Sequence, residues 1–156
     1  MIYRVIVYFI AIIFSHNLSY ASDEIVGKSK CGETFVEITG VRYEGSHYAL
    51  KYVTMNMSNN KQKRTIVFNE KNIRGEYFHA ACIYGNNGKP YIVYQNYCGG
   101  SGCADFDNYG IIDCTSLKTL LLPTDDNRKK ASSILGFEAP YIYKDERCFF
   151  DKDQPQ

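Results

Sequence analysis

Apolar and polar positions alternate in short runs along most of this chain, and a helical period emerges only near its C-terminal end. Residues 33–43 (Glu33-Thr34-Phe35-Val36-Glu37-Ile38-Thr39-Gly40-Val41-Arg42-Tyr43) are rich in β-branched and aromatic side chains. A Glu44-Gly45-Ser46 turn follows, and the pattern resumes from His47 to Met55, which predicts a hairpin. A polar stretch over 58–63 leads to a short strand at Arg64-Thr65-Ile66-Val67-Phe68.

A second hairpin is expected between Tyr77 and Cys98, where runs 77–84 and 91–98 are joined by Gly85-Asn86-Asn87-Gly88-Lys89-Pro90. Asn87-Gly88 suits a type I′ turn, whose two central residues need positive φ. That register sets Tyr84 opposite Tyr91 and Cys82 opposite Val93. One face then carries Phe78, Ala80, Cys82, Tyr91, Val93 and Tyr97, and the other His79, Ala81, Ile83, Ile92, Tyr94 and Cys98. Neither face is polar, so the hairpin is expected in a sheet centre, covered on both sides.

Further strands are expected at 109–113 and 118–122, with a turn at 114–116 and a stop at Pro123. The helix signal follows: Thr124 as cap, Asp125 and Asp126 at the positive end, and Ala131, Ile134 and Leu135 at i, i+3, i+4. Gly136 supplies the stop and Pro140 prevents continuation. A last short strand is expected at 141–143, and 151–156 reads as a polar tail. The fold expected is mainly β (α+β): a single antiparallel β-sheet domain with one C-terminal α-helix.

The N-terminus follows another grammar. Arg4 precedes ten uninterrupted apolar residues, 5–14, and Ser19-Tyr20-Ala21 supplies a small-x-small cleavage site. This order is that of a signal peptide. Ten residues rise about 15 Å as a helix, half of the roughly 30 Å hydrocarbon core, so a spanning helix is not expected. Residues 1–21 are therefore expected to be an address, and 22–156 a single secreted β-rich domain, periplasmic or extracellular, with no membrane insertion after cleavage. No cysteine stands just after the cut to carry a lipid.

Eighteen Lys+Arg against seventeen Asp+Glu give +1 over 156 residues, which offers no field for nucleic acid. All six cysteines (Cys31, Cys82, Cys98, Cys103, Cys114 and Cys148) lie beyond the cut, and an exported chain with an even count reads as disulfide-stapled. Three glycines between Cys98 and Cys103 allow that short ring to close. The remaining four permit three pairings, between which the sequence does not choose, and the one favoured is Cys31–Cys82 with Cys114–Cys148. A zinc site at Cys98 and Cys103 lacks nearby ligands, since His47 and His79 stand apart. A thioredoxin-like pair would need two intervening residues and a following helix, and a nucleophilic cysteine would need a paired histidine.

The least ordinary stretch is 98–109. Tyr94, Gly100, Ser101, Asp105, Phe106, Asp107 and Tyr109 are the expected binding residues, on a loop stiffened by its ring. Asp105-x-Asp107-x-x-Gly110 begins like a calcium loop but fails at the twelfth position, Ser116, so no metal or other cofactor is expected. Eleven of fourteen tyrosines lie beyond residue 21, a composition shared by sheet cores and contact faces. The basic groups at 61–64 and 128–130 read as solvated faces, and Asn56-Met57-Ser58 accepts a glycan only in a eukaryotic secretory pathway.

No catalytic constellation is legible, which points away from an enzyme. In size, compartment and class the chain is similar to small disulfide-bearing periplasmic proteins, such as lysozyme inhibitors and immunity proteins. The function expected is a protein-binding domain that blocks a cell-envelope-targeting enzyme or toxin, its partner a protein rather than a small molecule. The alternative is a periplasmic ligand- or glycan-binding or hydrolytic domain, with Tyr94, Asp105, Asp107 and His79 lining a site in or beside the Cys98–Tyr109 loop.

Overall fold

The computed structural model describes residues 24–45, 50–69, 77–97, 107–124 and 126–151. The expected signal peptide and the Cys98–Cys103 ring lie outside these residues. Two antiparallel sheets and one helix result, which bears out the β-rich class while dividing the strands between two layers.

The first sheet is a meander of β1 (Glu24–Cys31), β2 (Thr34–Arg42), β3 (Leu50–Ser58) and β4 (Lys63–Asn69). Alternation decides its faces. Ile25, Val36, Ile38, Val53, Met55, Met57 and Phe68 point inward and are buried. The β2–β3 hairpin expected around Gly45 is present, and Gly45 adopts φ 74° there. β1 was not legible because two of its inward positions are Gly27 and Ser29 rather than apolar side chains. A Cβ on Gly27 would lie 2.4 Å from the Phe149 carbonyl oxygen, so the strand stays thin to let a neighbour approach.

The second sheet has the order β8-β7-β6-β5-β9, built from β5 (Tyr77–Tyr84), β6 (Pro90–Tyr97), β7 (Tyr109–Asp113), β8 (Thr119–Leu121) and β9 (Cys148–Asp151). The β5–β6 hairpin is central, as expected, but its register is one residue off the expected one. Ile83 lies opposite Tyr91 and Cys82 opposite Ile92. The loop is five residues long rather than a two-residue turn, closed by the Gly85 N–H donating to the Lys89 carbonyl at 3.0 Å. Gly88 alone takes positive φ, and the Asn87 carboxamide instead accepts from the Lys89 N–H and donates to the Tyr91 hydroxyl. A one-residue slip reverses every side chain of the partner strand. Ile92 and Tyr94 therefore join Phe78 and Ala80, while Tyr91 and Val93 join Ala81 and Ile83.

Between the sheets, Phe68, Phe78, Tyr94 and Phe150 form an aromatic centre, with Phe78 and Tyr94 stacked at 5.5 Å and Phe68 tilted against Phe78 at 5.1 Å. Burial of such rings contributes about 1.5–3 kcal/mol each. The opposite face of the second sheet is covered by helix α1 (Arg128–Leu135) and the segment after it, through Ala131, Leu135, Ala139 and Ile142.

Helix α1 begins after Asn127 rather than after Thr124. The Asn127 side chain is committed elsewhere: its Oδ1 accepts from the Tyr109 N–H and its Nδ2 donates to the Tyr109 and Leu122 carbonyls. Gly136 ends the helix in the left-handed region at φ 81°, as expected. Residues Ile142–Lys144 form a 3₁₀ turn instead of a strand, and the last strand is β9.

The Cys31–Cys82 disulfide is present and ties β1 of one sheet to β5 of the other. The expected Cys114–Cys148 pair is not. Cys114 packs in the core between the sheets, whereas Cys148 packs against the helix-side core, across the thickness of the second sheet.

Candidate functional site

Gly100, Ser101, Asp105, Phe106, Cys98 and Cys103 lie outside the described residues, as does His47. The other expected site residues do not converge. Tyr94 is buried between the sheets, and burial pushes its phenol well above the ordinary tyrosine range, against the opposing pull of the Arg64 charge. Tyr109 is buried on the opposite face of the same sheet, where its hydroxyl donates to the Pro140 carbonyl at 3.0 Å. Its phenol is also raised, chiefly by burial, with Arg128 lowering it and Asp107 adding to the rise. Both side chains are core.

Asp107 and Asn108 stand at the head of β7. The Asp107 carbonyl accepts from the Asn127 N–H at 3.0 Å, while Asp107 Oδ1 and Asn108 Oδ1 are buried with no hydrogen-bond partner among the described residues. His79 is buried beside Tyr77 and Tyr143, with ring centroids 6.4 and 6.0 Å away. Among the described residues no group of three or more His, Cys, Asp or Glu is placed to hold a metal ion.

The outer face of the first sheet is the better candidate, built by the same alternation that fills the core. Cross-strand register arranges it in rows. One row runs Lys30, Phe35, Ser58, Lys63, and the next Lys28, Glu37, Asn56, Thr65. A third runs Val26, Thr39, Thr54, Val67, with Tyr52 beyond it. The first two rows line an open groove of about 700 Å³.

Phe35, the second residue of β2, is 63% exposed, and Val26, Val67 and Tyr52 are exposed on the same face. Isolated exposed apolar residues are ordinary, but several on one flat face mark a contact surface. The Lys30 ammonium lies 5.7 Å from the Phe35 ring and reaches Glu33 at 3.5 Å. Lys28 pairs with Glu37 at 2.7 Å, and the Asn56 carboxamide oxygen accepts from Thr65 at 2.8 Å. Exposed pairs of this kind contribute at most about 1 kcal/mol, so they exchange readily for a partner's groups. Arg64, on the inward side of β4, donates to the Leu117 carbonyl and anchors the sheet edge to the turn before β8.

Sequence reasoning did not single out this face. The available signal was Phe35 standing between the inward Thr34 and Val36, an aromatic at a position the alternation reserves for solvent. Compared with known protein families, with curated proteins and with solved structures, the chain gives no match.

Proposed function

We propose that this chain is a small exported protein-binding domain of the inhibitor or immunity type, which blocks an envelope-directed enzyme or toxin by covering it with the outer face of β1–β4. One observation carries the reading: among the described residues the second sheet is covered on both faces, whereas the first is covered on one and offers Phe35, Val26, Val67 and Tyr52 to solvent beside a groove. A disulfide between the sheets suits an oxidising compartment and holds that face rigid, which lowers the entropy lost on binding. The partner is a protein, met by a preformed surface rather than by a cleft with convergent acid and base groups.

The test is capture of envelope enzymes and toxins on the immobilised protein, followed by inhibition assays with whatever is retained. Wild-type protein is expected to retain and inhibit a partner that Phe35→Ala retains at least about tenfold less well, a loss typical of a central aromatic contact. Equal retention by both proteins, or none by either, refutes the reading.

The ligand-binding or hydrolytic alternative has the buried, unpartnered oxygens of Asp107 and Asn108 in its favour. It expects Asp107→Asn to abolish turnover or ligand binding while leaving protein capture intact. Unchanged turnover or ligand binding dismisses it.

A further inference from the structure

The chemistry of the exposed face narrows the kind of partner. The whole chain carries only +1, yet the groove's outward side chains are Lys28, Lys30 and Lys63 against the single lining carboxylate of Glu37, with Arg64 turned inward to the Leu117 carbonyl. The lining of this groove is therefore net positive. Lys63 makes no ion pair among the described residues. The pairs of Lys28 with Glu37 and of Lys30 with Glu33 are exposed and readily exchanged.

Resting on the protein-binding reading above, we infer that the groove docks an acidic protein surface, with Phe35 as the apolar centre and Lys28, Lys30 and Lys63 as its cationic rim. Four strands about 4.8 Å apart, each with about seven residues rising 3.4 Å, make a face roughly 20 Å on a side. Its projected area of about 400 Å² is half the ~800 Å² per partner of an ordinary protein interface, yet well beyond the footprint of a single sugar. A polysaccharide groove would need successive aromatic platforms, and among the described residues Phe35 is the one aromatic lining this one. A second copy of the chain is disfavoured, because face-to-face association sets lysine against lysine.

The probe is a poly-L-glutamate peptide of about twenty residues, titrated into the full exported protein while backbone amide shifts are followed, with polygalacturonate and anionic lipid vesicles as competing arms. Shifts are expected to concentrate at residues 28, 30, 35, 37, 56 and 63 and to vanish at 1 M salt, where the Debye length is about 3 Å. The variant Lys28→Glu/Lys30→Glu/Lys63→Glu is expected to bind at least about tenfold more weakly, while the new carboxylates facing Glu37 and Glu33 lower the melting temperature by only a few degrees, since all three positions are solvated. The salt arm needs no variant and stands if that protein fails to fold. Absence of polyglutamate binding, shifts elsewhere, or tighter binding of polygalacturonate or vesicles overturns the inference. A captured protein partner that depends on Phe35 but is indifferent to salt and charge reversal leaves the protein-binding reading intact and sinks the acidic partner alone.

Discussion

The two sheets differ in how many of their faces are used, and their sequences differ in step. β5, β6 and β7 read as nearly continuous apolar runs, because one face meets the first sheet and the other meets α1 and the segment after it. β2 and β3 alternate, because only their inner face is covered. Alternation therefore reports one-sided burial, and an apolar residue in the outward phase is surplus to folding. Phe35, Val26 and Val67 are that surplus. The second sheet holds the fold together, and the first holds it together with half its residues.

The comparison is tested first at the bond joining the sheets. Cys31 and Cys82 are 51 residues apart, and opening a loop of that size is expected to cost about 4 kcal/mol in the chain-entropy account. Cys31→Ser/Cys82→Ser should lower the urea midpoint without reversing the fold class. A loss below about 1 kcal/mol would mean the sheets are held by packing alone.

Next comes the doubly covered sheet itself. A Cβ at Gly110 would lie 2.0 Å from Tyr94 Cζ in the aromatic centre. Gly110→Ala is expected to cost about 1–3 kcal/mol by overpacking, measured by denaturant titration. A neutral result would mean that the second sheet yields where the first is supposed to.

A smaller effect tracks pH. Burial, helped by Asp113, pushes the Cys114 thiol up to about 12, so the folded chain keeps a proton that the unfolded chain releases above about 9. Stability is therefore fully present below pH 9 and falls as pH rises towards 12, by about 1 kcal/mol at pH 10 from this group. Tyr94 and Tyr109, both raised, add to the loss further into alkali. Replacing Cys114 with Ala should flatten the slope between pH 9 and 10. An unchanged slope removes the thiol from the account.

Smallest is the expected effect at the bare face. Phe35→Ala should change stability by no more than about 0.5 kcal/mol, as at other solvated positions, while weakening partner capture. A loss of 2 kcal/mol or more in thermal unfolding would make Phe35 a structural residue and erase the contrast between the sheets.

Local chemistry explains which parts of this architecture the sequence determined by itself. Gly136 is legible as a stop because a left-handed φ is open to glycine at little cost, and β2, β3 and β5 are legible because β-branched and aromatic side chains at a period of two admit few other uses. The β-rich class follows from the same order of reasoning. Tertiary structure decided the rest. β1 carries Gly27 where a strand would ordinarily show an apolar residue, because Phe150 and the Phe149 carbonyl fill that space from the far end of the chain. The register of β5 and β6 turned on Asn87, whose side chain closes a five-residue loop with Lys89 and Tyr91 in place of a two-residue turn. Asn127 displaced Thr124 at the helix start because Tyr109 and Leu122 needed its carboxamide. Which apolar side chains stay uncovered is a property of two layers meeting, and it belongs to no single strand.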